Sequence, residues 1–473
     1  MLRRTQVDFG DVIREWDGFG VNYVETSQTL HYDEEPQDYG GFSILSEDDR
    51  RKVIEMTFGE DGLQPGLVKM FLDPFHQEEP GAGYVMNAPH IELDAYDHER
   101  STEWMRHFVR QGHRLTRERG GELEIIVTLY GPPAWMTKQR VVRGRDLDPD
   151  RRVECAKYIA SFAMYLREVE GLPVRYVSLH NEGEDWMRWN EEGTRGRPGD
   201  DYNMYWPPEQ VADFVSFMPA LLSANGMADV GVSPGETSNW YRFVEWGYPA
   251  AIRRMPGAQA GIGLITSHGF YGPGFGRWSG DWRSSGIDML REVRPDLHAW
   301  VTSTSWSAMD VNFVAELRES IYAAKVNGII PWACIQRPSL WKGGDPNPGT
   351  AFRVSDEGEL SVEPGYYWFK QACRAGQPGT GVARVVSNDS EVRLMAFADN
   401  GTGHGDAVVV VNIGDDARDI QLELAGTTAE RFVAYRTSET EQWEDVGGFE
   451  LKDGRILYTV PPHSATTFLA GED

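Results

Sequence analysis

Arg175-Tyr-Val-Ser-Leu-His-Asn-Glu182 is a short apolar run that ends abruptly in His180-Asn181-Glu182. Its β-branched and aromatic residues predict a strand. A strand with Asn-Glu at its C-terminal tip suits an α/β barrel enzyme, because such barrels carry their active sites at that end of the strands. A carboxyl group there can act as general acid, and the adjacent amide can hold a substrate hydroxyl. The pair carries weight only if a second carboxylate appears at the tip of a later strand.

Working outward, seven further runs read as strands: Trp16–Tyr23, Gly66–Asp73, Leu123–Leu129, Asp229–Glu236, Gly263–Tyr271, His298–Trp306 and Gly328–Ala333. Between them, apolar residues at helical spacing predict helices over about 101–118, capped by Ser101, from Asp148-Pro149 to Gly171, over about 208–225 and over about 311–327. The alternation predicts a (β/α)8 barrel. The segment 183–206 reads as a long active-site loop.

From about residue 360 the character changes. Val408–Asn412, Ile420–Leu424, Arg431–Tyr435 and Ala465–Leu469 are short runs between Gly, Asp, Thr and Pro turns, which predicts a small antiparallel β-sandwich. A strand within 4–14 precedes the barrel and needs a sheet to pair with, so it is expected to join that sandwich. The expected division is 1–14 to the sandwich, 15–358 as the barrel and 359–473 as the side domain.

The chain has 473 residues and a formal net charge of −27, which argues against nucleic acid or an anionic membrane as partner. No run approaches the ~18 apolar residues of a membrane span. The start shows no apolar signal core, so the expectation is a cytoplasmic protein, or a secreted one if a native signal has been removed. Three cysteines, Cys155, Cys334 and Cys373, fit buried thiols in a reducing compartment. His107, His113, His180, His268 and His298 lack metal-ligand spacing, and no motif requires a cofactor. Oligomeric state is not legible.

The predicted strand tips gather Lys69, Asp73, Trp135, Asn181, Glu182, Glu236, His268, Tyr271, Trp306 and Trp332. Polar groups and aromatics converging on one barrel face fit a carbohydrate site, and the partner expected is an oligosaccharide or glycoside. Glycoside hydrolysis normally uses two carboxyl groups across the scissile bond.

Here the chain resembles glycoside hydrolase family 30, of the retaining (β/α)8 clan. The matching pieces run in order over nearly the whole chain: Asp17-Gly-Phe-Gly20, Pro132-Pro-Ala-Trp-Met136, His180-Asn-Glu182, Pro234-Gly-Glu236, His268-Gly-Phe-Tyr271, Trp300-Val-Thr302, Tyr435-Arg-Thr-Ser438 and Pro462-His-Ser-Ala-Thr-Thr467. The resemblance implies Glu182 as acid/base, with Asn181 bonding the hydroxyl beside the anomeric carbon. It also implies a nucleophilic Glu near the end of strand seven, inside a Trp-x-Thr-Glu-x-Ser-Trp-like stretch.

This chain reads Trp300-Val-Thr-Ser-Thr-Ser-Trp306, so Ser303 stands where that Glu is implied. A serine hydroxyl without its own base is a poor nucleophile toward an anomeric carbon and brings no charge to stabilise an oxocarbenium-like state. Three readings follow: an engineered exchange of Glu for Ser that disables hydrolysis and permits glycosynthase transfer, a natural inverting or altered glycosidase using another carboxylate such as Glu236 or Asp310, or a non-catalytic sugar-binding relative. Trp135 and Trp332 suit barrel packing as well as stacking platforms. His268 and Tyr271 could satisfy each other or line the −1 sugar. Glu236 suits hydrogen bonding better than catalysis, and Lys69 could replace a basic substrate contact.

Overall fold

The structure, a computed structural model, describes residues 3–27, 29–30, 35–194, 202–270, 282–304, 308–341 and 347–471. Among these, eight strands form a parallel sheet: β2 (Gly18–Asn22), β3 (Leu67–Leu72), β4 (Glu124–Leu129), β5 (Val174–Ser178), β6 (Gly231–Ser233), β7 (Ile265–Ser267), β8 (Ala299–Thr304) and β9 (Gly328–Pro331). They run in the order β6-β5-β4-β3-β2-β9-β8-β7. Parallel bridges Val232–Ile262 and Thr237–Ser267 join the two ends and close the barrel.

Side-chain alternation divides the barrel interior into layers. Leu67, Ile126, Leu264, Trp300 and Ile330 form a dry layer with Tyr176 packed against it. Two residues further along the same strands stand Lys69, Thr128, Ser178, Thr266, Thr302 and Trp332, all buried. The period of two therefore places a mainly polar layer directly on an apolar floor. The Trp300 indole N–H donates to Asp17 Oδ2 at 2.6 Å, which satisfies the one polar atom of that ring.

Strand β8 carries an irregularity where it matters. Val301 pairs with Ile329 and Thr304 with Pro331, so Thr302 and Ser303 both stand opposite the single residue Ile330. An extra residue of this kind shifts the alternation. Strict alternation from Trp300 therefore does not fix the side on which Ser303 stands.

The helices differ from the sequence reading at their ends. The helix expected from 101 begins at Glu103, and Ser101 does not cap it. The Ser101 hydroxyl meets His76 Nε2 at 3.1 Å instead. The cap comes from a distant residue: the buried Glu25 carboxylate accepts from the backbone N–H of Trp104 and Met105 at 3.1 and 3.0 Å. The carboxyl oxygen satisfies first-turn N–H groups that the helix leaves unpaired, while burial pushes the Glu25 pKa well above the usual carboxylate range. The helix expected over 311–327 ends at Tyr322. The Asp148-Pro149 start is a single 3-10 turn, Pro149–Arg151, followed by the helix Arg152–Glu168.

After the barrel, β10 (Ile335–Gln336), β11 (Phe352–Val354) and β12 (Leu360–Val362) form a small sheet. The helix Pro364–Ala375 leads to β13 (Gly381–Ser387), β14 (Val392–Ala398), β15 (Ala407–Asn412), β16 (Arg418–Ala425), β17 (Arg431–Thr437), β18 (Glu444–Glu450), β19 (Arg455–Val460) and β20 (Ser464–Ala470). With the N-terminal strand β1 (Arg3–Glu15), these make a nine-stranded sheet in the order β18-β17-β20-β15-β14-β13-β1-β16-β19. β1 lies antiparallel to β13 but parallel to β16, so the sheet is mixed rather than purely antiparallel. It folds over its own core. Phe449 on one edge strand and Tyr458 on the opposite edge strand meet edge-on at 5.6 Å, with Phe468 between them.

The two parts share one apolar seam. Trp16, fully buried, packs on Phe19 and Phe397 at ring distances of 4.8 and 5.4 Å, and its N–H donates to Gly376 O at 3.0 Å. Burying a side chain of that size is worth about 2–3 kcal/mol. Gln371 of the connecting helix donates to Thr437 and accepts from Thr467, both on the sheet.

Candidate active site

Strand β5 does not stop at Ser178 in effect. Asn181 forms a parallel bridge with Glu236, the Glu236 N–H donates to His180 O at 2.8 Å, and the Glu182 N–H donates to Glu236 O at 2.7 Å. This approach needs Gly235. It has φ +100°, and a Cβ there would lie 2.2 Å from His180 Cδ2. Glu182 itself has φ +48°, a left-handed conformation that costs a non-glycine residue roughly 1–2 kcal/mol. The turn lifts its side chain out of the strand direction at the C-terminal rim of the barrel.

His180 frames this turn. Its Nδ1 accepts the Gly183 N–H at 3.1 Å, and its ring stacks beside Trp206. Burial pushes its pKa down to about 3, so it is a neutral packing residue.

Five of the residues selected from the sequence converge. Lys69 Nζ forms a buried ion pair with Glu236 Oε2 and stands 3.4 Å from Asn181 Oδ1. Glu236 Oε1 accepts from Thr128 Oγ1 at 2.5 Å. His268 bridges the two carboxylates: its Nδ1 is 2.9 Å from Glu182 Oε1, and its Nε2 is 3.3 Å from Glu236 Oε2, too oblique for a hydrogen bond but close enough for charge attraction. Glu182 Oε2 accepts from Arg188 Nη2 at 2.9 Å.

The electrostatics follow from these contacts. Burial alone would raise the Glu182 carboxyl, but Arg188 and His268 outweigh it and hold it far below the usual carboxylate range. Glu182 keeps 19% of its side chain exposed, so part of that attraction is screened by solvent. Burial would likewise raise Glu236, but Lys69 and His268 hold it down to about 2. Burial lowers His268, yet its two carboxylate neighbours prevail and its pKa is raised.

Ser303 is buried in the β8 bulge, near the C-terminal end of that strand. Trp332 follows β9, and its N–H donates to Thr304 O at 2.8 Å through the backbone. Its ring meets Phe71 edge-on at 6.0 Å, and Phe71 stacks on Tyr130 at 4.6 Å with Lys69 Nζ over its face. An aromatic wall thus adjoins the charged cluster.

Other selected residues stand apart from it. Asp73 accepts from Thr26 at 2.5 Å and lies 3.6 Å from His76, inside a buried network with Ser101 and Tyr158. Trp135 turns its N–H to Gln77 O at 2.9 Å, under the Arg151 guanidinium. Asp310 caps the helix Val311–Tyr322 by accepting from Asn312 and Phe313 N–H at 2.8 and 3.2 Å. Tyr271 and Trp306 lie outside the described residues.

The sequence reading missed Arg188 and Thr128. Arg188 fell within the expected loop but belonged to no motif. Thr128 could have been found by parity, since it lies two residues beyond Ile126 on the same face of β4.

No family model matches the chain, and no curated protein does. Solved structures do. A family 30 endoxylanase from Clostridium papyrosolvens superposes with a TM-score of 0.67 at 15% identity, covering 99% of this chain and 100% of that one. Family 30 xylanase C from Talaromyces cellulolyticus gives 0.69 at 17% over 99% and 100%. An endo-β1,6-glucanase gives 0.68 at 14%, covering all of this chain and 94% of that one. The chain therefore has the (β/α)8 barrel and side β-domain found in family 30 glycoside hydrolases.

Proposed function

We propose that the chain is a glycosidase of the family 30 type for β-linked glycosides, with Glu182 as acid/base and position 303 as the nucleophile site. The observation that carries this reading is the Glu182 turn beside Asn181 at the tip of β5, with the β8 bulge at residue 303 as its counterpart at the same end of the barrel. In a retaining double displacement, a carboxylate at 303 would attack the anomeric carbon while Glu182 protonates the leaving oxygen. Glu182 would then deprotonate the water that releases the sugar. Asn181, the residue before Glu182, would hold the neighbouring hydroxyl.

With Ser303 in place, the first step lacks its nucleophile. Among the described residues, neither Glu236 nor Asp310 offers a ready substitute. Both oxygens of Glu236 are committed to Thr128 and Lys69, and the side chain has no exposure. Asp310 is spent on a helix cap. These contacts weigh against an inverting mechanism through either carboxylate. They favour a nucleophile-disabled enzyme able to transfer an activated α-glycosyl fluoride as a glycosynthase.

The xylanase and glucanase neighbours suggest β-xylosides and β-glucosides as first substrates. The test is to assay aryl β-xylosides, β-glucosides and β-galactosides with the parent, with the parent plus azide, and with Ser303→Glu. Rescue by azide, or hydrolysis restored by the glutamate, is the expected result. Vigorous hydrolysis by the parent with no gain in Ser303→Glu would overturn the reading.

A further inference from the structure

A general acid must carry a proton to the leaving oxygen, yet both Glu182 oxygens face cationic N–H donors, His268 on one and Arg188 on the other. A proton on Glu182 removes the charge that holds Arg188, so proton and guanidinium compete for the same carboxylate. One donor has to yield before Glu182 can act as an acid.

The surroundings indicate which. His268 is 3% exposed and pinned between Glu182 and Glu236. Arg188 ends the 3-10 turn Trp186–Arg188, which projects Trp186 and Met187 at 56% and 76% exposure. The turn is tied down on its inner side. Asp185 caps it by accepting the Met187 N–H, and Arg242 pairs with Glu184 and Asp185 while stacking on Trp246. A large aromatic and a thioether are thus held at the surface, immediately beside the acid/base and on the loop that follows it.

We propose that Arg188 is a positioning residue that keeps Glu182 in its carboxylate form until a leaving-group sugar seats against Trp186 and Met187 and takes its place. The proposal rests on the glycosidase reading. Among the described residues, the other titratable groups around Glu182 are His268, then Glu236 and Lys69 behind it, and the neutral His180. None of these lies on the Trp186–Arg188 turn, so among the described contacts of Glu182 the one with Arg188 is the one that a sugar arriving on that turn can alter.

Two measurements test this. In the parent, the Glu182 carboxyl is titrated by carbon-13 NMR and identified by loss of its signal in Glu182→Gln. Arg188→Met is expected to move the midpoint up by about one pH unit or more, and Arg188→Lys to move it less. An unchanged midpoint overturns the proposal.

In the Ser303→Glu background, kcat/KM is compared at pH 7 for 2,4-dinitrophenyl and methyl β-glycosides of the same sugar. Arg188→Met is expected to raise the ratio of the poor to the good leaving group several-fold, because only the poor one needs the proton. Equal changes for both substrates, or a fall in the ratio, overturn it. If Ser303→Glu hydrolyses no β-glycoside, the glycosidase reading fails by itself, and the titration still decides whether Arg188 holds the carboxylate.

Discussion

His268 Nδ1 stands 2.9 Å from Glu182 Oε1, which ties the tip of strand β5 to the residue that follows strand β7. When protonated, the imidazole places a positive charge between Glu182 and Glu236. Since the pKa of His268 is raised in the folded chain, the stability it contributes is fully present below its ordinary value near 6.5 and is lost as pH rises through the higher folded value. His298 is raised by Asp17 and adds a change of the same sign. The difference between parent and His268→Gln isolates the site. Urea unfolding from pH 5.5 to 8 is expected to show a smaller loss of stability with rising pH in the variant, and parallel curves would refute the assignment.

Ser303→Glu should do more than restore a nucleophile. A second carboxylate at the same end of the barrel adds a like charge to the rim that carries Glu182, and like charges push one member of a close pair upward. Hydrolysis of an aryl β-glycoside is expected to rise by about 100-fold or more, equivalent to roughly 3 kcal/mol of barrier. The Glu182 midpoint should move up in the same variant, read by the same carboxyl titration.

On the proposed reading, adding Glu182→Gln to Ser303→Glu removes the proton donor and keeps the shape. For a poor leaving group the loss should be about 10²–10⁴-fold, the usual worth of general acid catalysis. A 2,4-dinitrophenyl glycoside should lose far less in glycosylation, since its phenolate leaves without help. Comparable losses on both would assign Glu182 to binding rather than proton transfer.

Lys69 and Glu236 are fully buried and paired. Lys69→Met leaves a carboxylate uncompensated in the barrel and should cost about 3–5 kcal/mol of stability. Adding Glu236→Gln should recover most of it, which denaturant midpoints can measure. The depressed Glu236 carboxyl contributes stability that is present above the ordinary carboxylate range and lost as pH falls toward about 2. Acid unfolding of the double variant should therefore begin less steeply than that of the parent.

Asp310→Ala removes a helix cap and should cost about 0.5–2 kcal/mol. Restored hydrolysis in the Ser303→Glu background is expected to survive the change. Its abolition in a folded variant would return Asp310 to consideration as a catalytic carboxylate.

The sequence by itself determined the barrel, because strand and helix periodicities are local and each strand run is bounded by its own turn residues. It also determined the Asn181-Glu182 pair at the end of its run and the serine at position 303, since both depend on residue identity in order along the chain. Tertiary structure decided the remainder. The cap of the helix Glu103–Glu118 comes from Glu25, some eighty positions earlier, and no local signal announces it. Asp73 and His76 were drawn into a packing network that only Ser101, ahead of one helix, and Tyr158, within another, define. Most telling is Ser303. Strict alternation from the inward Trp300 would assign it a side, and only pairing with β9 reveals the extra residue that interrupts that alternation. Register is a property of two strands together, so a single chain read in order cannot contain it.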